Sequence, residues 1–288
     1  MGATLKQLRV FVALAEEGGF VAAGDALGLS QSSVSHTLAT LERQVGASLL
    51  HRAPCTVTDD GARLLPHARA TLAAADAFEA ATPSSAPVTG MVTLAITPTA
   101  GYRVVPDLLA RWRAKVPGIR IRLLEGDDVE VATWLETGAA DAAILINPDS
   151  TAEQIVVARD EFRAVTRTDH PLVSMAPVAL ADFLDDPLLV STAGCEPQIM
   201  ELVRQVEIAY EPAQRVRELT TLMAMVDAGL GITIMPTLVD PLLPASLTMT
   251  PLIHTLTREL VLTGPLTRPW HPRVRTLCGI IRTEENGP

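Results

Sequence analysis

The sequence predicts a multidomain α/β protein with an all-helical head, one long helix, and a tail in which strands alternate with helices. Three observations predict it. Residues Gly19–Arg52 carry two short helical periodicities broken by Gly28-Leu29. Residues Asp59 to about Ala80 are alanine-rich, with apolar residues spaced by three and four. From Val92 onward, apolar runs of strand length alternate with helical segments, the mark of parallel strands joined by right-handed crossovers.

The first helix spans Leu5 to Glu17, with Leu5, Leu8, Phe11, Val12 and Ala15 on its inner side, and Gly18-Gly19 ends it. A second helix runs from about Phe20 to Leu27. Gly28 permits the sharp turn, and Ser30 supplies an N-cap for the third. There Val34, Leu38, Leu41 and Val45 form the expected buried stripe, while Gln31, Ser32, Ser35, His36, Ala39, Thr40 and Arg43 lie on other faces. Such short polar side chains would let the helix approach a DNA duplex. Gln31 suits adenine, and the serines suit phosphate oxygens. A plain helical hairpin with a solvated face has the same pattern, so residue chemistry alone leaves both readings open.

Leu8, Phe11, Gly18-Gly19-Phe20, Ala23, Leu27, Ser30-Gln31, Val34-Ser35, Leu41-Glu42, Gly46, Leu49-Leu50, Arg52, Thr58 and Gly61 follow the spaced pattern of LysR-type transcriptional regulators, which this chain resembles over nearly its whole length. The resemblance implies a winged helix-turn-helix over residues 1–60, a dimerisation helix and hinge over 61–90, and an effector-binding domain over 91–288. It implies DNA contacts by Ser30, Gln31, Ser32, Ser33, Ser35, His36 and Arg52. The implied partners are double-stranded promoter or operator DNA, a small-molecule effector, a second copy through the linker helix, a homotetramer and RNA polymerase. The chain departs from the pattern at Ala23-Gly24, where two alanines are usual, at Leu50 for Phe and at His36 for Arg. Its wing, Arg52 to Thr58, is short and holds no second arginine.

Thr56-Val57-Thr58 reads as a wing strand, and Thr58 as the cap of the long helix, whose first turn carries Asp59 and Asp60. Leu65, Ala68, Leu72 and Ala75 form its seam. The seam requires either a partner helix or the chain's own domain, and the resemblance implies the partner. Pro66 should kink this helix near its start. Thr82-Pro83-Ser84-Ser85-Ala86-Pro87 is the clearest linker.

Beyond it, strands are expected at Val92–Thr97, Ile119–Leu124, Asp141–Ile146, Leu188–Ser191 and Gly231–Pro236. Helices are expected through Val105–Trp112 and over Val131–Thr137, Pro197–Val206, Leu219–Ala228 and Val274–Arg282. Ile155–Arg167 and Leu260–Thr263 read as crossings between two such units. Two α/β lobes joined by two crossings is the plan of periplasmic-binding-protein-like domains. Ligands of open α/β sheets bind beyond strand carboxyl ends, beside helix N-termini. Those points supply Thr97, Thr99, Asp128, Asn147, Ser191 and Thr192 as candidate effector contacts. Polar loops that merely cap helices look the same. The resemblance matches Thr99 and Asp128 with effector-touching positions. Asp127-Asp128 at the mouth would repel an acid and favour an amine or a neutral ligand.

Composition bounds the rest. At 288 residues and 48% hydrophobic, the chain is globular, and with 3% aromatics its core must be aliphatic. The net charge of −10 is unevenly spread. Residues 1–70 hold Lys6, Arg9, Arg43, Arg52, Arg63 and Arg69 against Glu16, Glu17, Asp25, Glu42, Asp59 and Asp60, so the head is neutral and the rest carries the whole excess. A neutral reader cannot rely on counterion release, so affinity should need dimerisation and correct base contacts. No apolar run reaches a membrane span and no signal peptide is evident, so a cytoplasmic protein with no membrane partner is expected. Cys55, Cys195 and Cys278 show no zinc-site spacing and read as reduced thiols. Peroxide-sensing members of the family use a cysteine pair, and Cys195 stands alone in its segment. No catalytic motif appears among the six scattered histidines, and Asp182, Asp185 and Asp186 read as a solvated helix end. No catalytic residue, metal or cofactor is expected, and the chain reads as no enzyme. A transport solute-binding protein would share the two lobes but lack the N-terminal reader.

Overall fold

The computed structural model describes residues 2–80, 88–149, 151, 153–183, 185–205 and 211–285, so the linker expected at Thr82–Pro87 lies outside the described residues. The head holds α1 (Leu5–Glu17), α2 (Phe20–Leu27) and α3 (Gln31–Val45), followed by the hairpin β1 (Leu50–Arg52) and β2 (Cys55–Val57). Local chemistry sets the boundaries. Thr4 caps α1 in a reciprocal capping box with Gln7, Ser30 accepts from the Ser33 N–H, and Gly18, Gly28 and Gly46 end the three helices in the left-handed region.

The head's core is Val10, Phe11, Leu14, Ala23, Val34, Leu38, Leu41, Leu49, Leu50 and Ala68. This corrects two expectations. Val45 is 41% exposed, because the three-four stripe of α3 runs past the core before Gly46 ends the helix. The buried face of α1 is Gln7, Val10, Phe11 and Leu14, while Leu5 faces water, because α1 must touch α2, α3 and the long helix at once.

That long helix, α4 (Asp59–Ala80), runs through Pro66 and starts where Thr58 Oγ1 accepts from the Gly61 N–H at 3.0 Å. It lies along α1. Ala68 is buried in the head's core, Leu65 packs on it, and Arg9–Asp76 (3.1 Å) and Arg69–Glu16 (3.3 Å) tie the two helices. Half of the expected seam is therefore internal. The row Leu64, His67, Thr71, Ala74 and Phe78 faces solvent instead, with Phe78 82% exposed.

The remainder is a two-lobed α/β domain. The first lobe contains β3 (Gly90–Ile96), α5 (Pro98–Gly101), α6 (Val104–Lys115), β4 (Ile119–Glu125), α7 (Asp128–Thr137) and β5 (Ala142–Ile146). Then β6 (Ile155–Arg167) crosses into the second lobe, which holds α8 (Leu180–Phe183), β7 (Leu188–Ser191), α9 (Glu196–Gln205), β8 (Gln214–Val216), α10 (Leu219–Asp227), β9 (Ile232–Pro236) and β10 (Leu247–Thr250). The chain returns through β11 (Thr257–Thr263) and ends in α11 (Pro272–Glu285). One continuous sheet results, ordered β4-β3-β5-β11-β6-β9-β7-β8, with β10 paired to β6. The outer strands are parallel, whereas β6 and β11 run antiparallel at its centre. The N-terminal half of β6 pairs with β11 and its C-terminal half with β9, so both crossings sit in the sheet itself.

Each lobe keeps its own aliphatic core, and Trp112 Nε1 donates to the Leu277 carbonyl at 3.1 Å, fastening α6 to α11. Among the described residues no helix is long and apolar enough to cross a membrane.

Candidate DNA reader and effector cleft

In the reader, Gln31, Ser32 and His36 are exposed on the first turns of α3, opposite the buried Val34 and Leu38. Ser30 and Ser33 have other work, since the Ser30 hydroxyl caps the Ser33 N–H at 3.3 Å and lies 3.0 Å from Ser32 Oγ. Arg52 is also engaged. Its guanidinium donates to Ser35 Oγ (3.3 Å) and pairs with Glu42 (3.2 Å), 5.6 Å from the Phe20 ring centre. Glu42 in turn accepts the Leu49 N–H at 2.8 Å, so this carboxylate locks the wing's root to α3. The departure at Gly24 has a steric cause, because a Cβ there would stand 2.6 Å from the Leu29 carbonyl oxygen as the turn doubles back.

The effector candidates converge only in part. Thr97 and Thr99 are buried after β3, their hydroxyls 3.5 Å apart. Asp128 opens α7, behind the Asp127 cap. Ser191 is buried, with its hydroxyl accepting the Ala193 N–H at 3.2 Å, and Thr192 is half-buried beside it. Asn147 departs from the group. Its backbone takes a positive φ of 44°, and its exposed side chain accepts the Glu259 N–H at 2.6 Å, so it pins the end of β5 to the neighbouring β11.

Sequence reasoning missed the residues that face Asp128 from the second lobe, Gly194 and Gln198. Gly194 has φ +95°, and a Cβ there would lie 2.8 Å from Asp128 Oδ1, so only glycine admits this approach. One end of the Gln198 amide is 3.3 Å from Asp128 Oδ2. The other is 2.7 Å from the Gly194 carbonyl and 3.2 Å from that of Cys195. Two carbonyl oxygens require a donor, so the amide nitrogen belongs there and its oxygen faces Asp128. That pairing of oxygens is favourable when Asp128 carries a proton. Burial already holds this carboxyl above the usual carboxylate range, and Asp127 pushes the same way while Arg258 pulls against it.

Two further features bracket the cleft. Arg258 of β11 forms a two-pronged ion pair with Asp160 of β6 (2.7 and 3.1 Å), both side chains 1% exposed, and also donates to Thr99 Oγ1 at 3.1 Å. Arg217 bridges to Glu130 across the lobes at 3.0 Å. With the lobes so joined, the space between Tyr102, Glu125, Asp127 and Arg217 is about 60 Å³. A larger slot of about 260 Å³ opens beside Thr97 and Asp128, walled by Val131, Ala132, Ile144 and Ile146. Cys195 is fully buried near this cluster, and burial together with Asp128 and Asp160 drives its thiol up to about 12, against the pull of Arg258. Among the described residues no group of His, Cys, Asp or Glu could hold a metal, and Asp186 pairs with His170 at 3.3 Å.

Comparison with known proteins gives this geometry its setting. Residues 5–62 match the bacterial regulatory helix-turn-helix of the LysR family, and residues 85–285 match the LysR substrate binding domain. A probable hydrogen peroxide-inducible genes activator of Mycobacterium avium is 36% identical over 241 residues, covering 81% of this chain and 78% of its own. The structure of an OxyR C206 mutant from Corynebacterium glutamicum superposes with a TM-score of 0.63 at 30% identity, covering 99% of this chain and 94% of that one. Full-length CbnR complexed with its target DNA shares the fold, at TM-score 0.64 and 20% identity over 97% and 99% of the two chains. A helix-turn-helix with its polar turns exposed, joined by one long helix to a two-lobed cleft, thus places this chain in the LysR family: a DNA-binding transcriptional regulator whose operator binding or promoter activation is modulated by a small-molecule effector.

Proposed function

We propose that the effector is a small amphipathic molecule with a cationic or hydrogen-bond-donating head, held at Asp128 with its apolar body in the adjoining slot. The observation that carries this is Asp128 Oδ1, buried and without a hydrogen-bond partner where two lobes meet. A donor supplied by the ligand satisfies it, whereas a second carboxylate would meet Asp127 and Asp128 together. Thr97 and Thr99 stand at the same mouth, and Ser191 and Thr192 lie on the opposite lobe. The ligand acts by binding the closed arrangement of the lobes better than the open one, since equal affinity for both would shift nothing. The relatives named for peroxide induction suggest a redox alternative. A fully buried thiol raised to about 12 is too little ionised to serve as a peroxide nucleophile, which favours ligand binding.

On the DNA side, Gln31 and His36 are the exposed reading groups, and Ser32 joins them by giving up its contact with Ser30. Ser35 and Arg52 reach phosphates by exchanging their mutual contact for the backbone, and Ser30 and Ser33 present the helix start. Changing Gln31→Ala should weaken specific operator binding by roughly 1–3 kcal/mol. Fluorescence anisotropy on a footprinted operator measures it, and equal affinity of mutant and parent would remove Gln31 from base reading.

We assign residues 1–60 to the reader, 61–90 to the dimerisation helix and hinge, and 91–288 to the effector domain, working in the cytoplasm as a homodimer or homotetramer beside RNA polymerase and without enzymatic activity. Assembly uses the exposed row of α4, which ends in Phe78, together with the half-buried Leu72. Phe78→Glu and Leu72→Glu should each lower the mass seen by light scattering and weaken operator binding with it. Unchanged mass in both variants would place the interface elsewhere.

A further inference from the structure

A second cavity, unlike the cleft in charge, lies where the head meets the first lobe. It measures about 380 Å³ and is lined by Glu16, Arg69, Arg122, Leu124, Trp134 and Thr137, with Ala139 at its edge. Glu16 of α1 sits between two guanidinium groups, 3.3 Å from Arg69 Nη2 of α4 and 3.3 Å from Arg122 Nη2 of β4. Both contacts are longer than the roughly 2.7–2.9 Å of a strong charge-assisted hydrogen bond. One carboxylate also cannot neutralise two cations.

The donor surplus has a structural trace. The Nε atoms of Arg69 and Arg122, both in the cavity wall, are buried without a partner; Arg268 Nε shares that condition but lies outside the lining. Arg69 and Arg268 meet over Gly138, where a Cβ would lie 3.2 Å from Arg69 Cβ and 3.4 Å from Arg268 Nη2. Buried donors lacking acceptors cost free energy, so the cavity favours an added anion. Trp134 and Leu124 give it an apolar wall beside the charges.

We propose that this cavity is a second ligand site, for a small carboxylate with an aromatic or branched aliphatic body. The ligand's carboxylate takes the place of Glu16 between Arg69 and Arg122, and its body lies against Trp134. Occupation releases Glu16, at the end of α1, from its ion pairs with Arg69 of the long helix and Arg122 of β4, while Arg9–Asp76 and the head's core still hold α1 to α4. Two elements that wall this cavity, β4 and α7, also reach the effector cleft. β4 leads into Gly126-Asp127, and α7 carries Asp128 at one end with Trp134 and Thr137 further along. An acid here and an amine in the cleft would therefore act on one pair of elements from opposite ends.

Isothermal titration calorimetry of the full chain at low ionic strength, with benzoate as probe and methyl benzoate as a counterpart that has neither a charge nor a hydrogen-bond donor, tests the site. Benzoate should bind and methyl benzoate should not. Glu16→Gln removes the internal competitor and should tighten benzoate roughly tenfold, while Arg122→Gln should weaken it roughly tenfold or more. Both positions are surface-accessible, and circular dichroism checks that each variant folds. Tightening in one and weakening in the other would have a common cause only at this cavity. The proposal is overturned if benzoate gives no heat with Glu16→Gln, if Arg122→Gln leaves its affinity unchanged, or if methyl benzoate binds as well.

Discussion

Arg258→Met should lower the stability of the effector domain by about 3–5 kcal/mol, the largest loss expected from any single polar change in it. Arg258 and Asp160 are both 1% exposed, and their ion pair links the two strands that cross between lobes. Asp160 also accepts the Leu238 N–H at 3.3 Å. Removing the guanidinium leaves a buried carboxylate whose main partner is gone, and Thr99 loses its donor as well. The double variant Arg258→Met with Asp160→Leu should recover most of the loss, because it removes both charges at once. Urea unfolding followed by tryptophan fluorescence measures each. A single variant within about 1 kcal/mol of the parent would mean that water reaches the pair, contrary to its burial.

Asp128→Asn should act in the opposite direction. The carboxyl's folded value is raised by burial, so its charged form is disfavoured in the native state. At a pH below its unfolded value the group is neutral in both states and contributes nothing. As pH rises from the unfolded value toward the raised folded value, the unfolded chain ionises while the native carboxyl keeps its proton, so stability falls, and the loss levels off above the folded value. The amide carries no charge and can donate to the Gln198 oxygen. At neutral pH it should therefore stabilise the protein by roughly 1–3 kcal/mol, the ordinary cost of a buried unsatisfied group. The gain should shrink toward zero in acid. Thermal melts across pH read this directly, and a pH-independent difference would mean that Asp128 stays ionised throughout. The same variant should blunt the response to a cationic effector, so stability would rise as function falls.

The head was legible because its signals are local. Gly18, Gly28 and Ser30 end or cap helices within a few residues of themselves, and the bounds of α1, α2 and the start of α3 fall where they place them. Phase was less secure than position. Val45 fits the α3 stripe yet projects past the core, and the α4 seam turned inward because Ala68 is small enough to sit against Phe11 and Leu14. The strand ends supplied Thr97, Thr99 and Asp128 by a general rule of α/β sheets. They could not supply Arg258, whose partner Asp160 is 98 residues away and whose strand resembles any other crossing segment. Gly194 and Gln198 were hidden for a similar reason. Their meaning lies in one distance to Asp128 across the lobes, and no spacing along the chain encodes it.

The position of β11 also shapes the making of the protein. It fills the middle of the sheet between β5 and β6, yet it is separated from β5 by the entire second lobe. While the ribosome works, β5 must therefore wait with an open edge for roughly a hundred residues of synthesis, on the order of 5–20 s at usual elongation rates. Its run Ala142-Ala143-Ile144-Leu145-Ile146 is uncharged and apolar throughout, the kind of edge that pairs with the wrong strand. The second lobe has all its own strands except the first half of β6 to itself, and can close before β11 emerges. Nascent chains stalled after β10 has emerged and before β11 has would thus present a finished second lobe beside an unfinished first one, and throughout the wait the open edge of β5 is the surface that needs a chaperone.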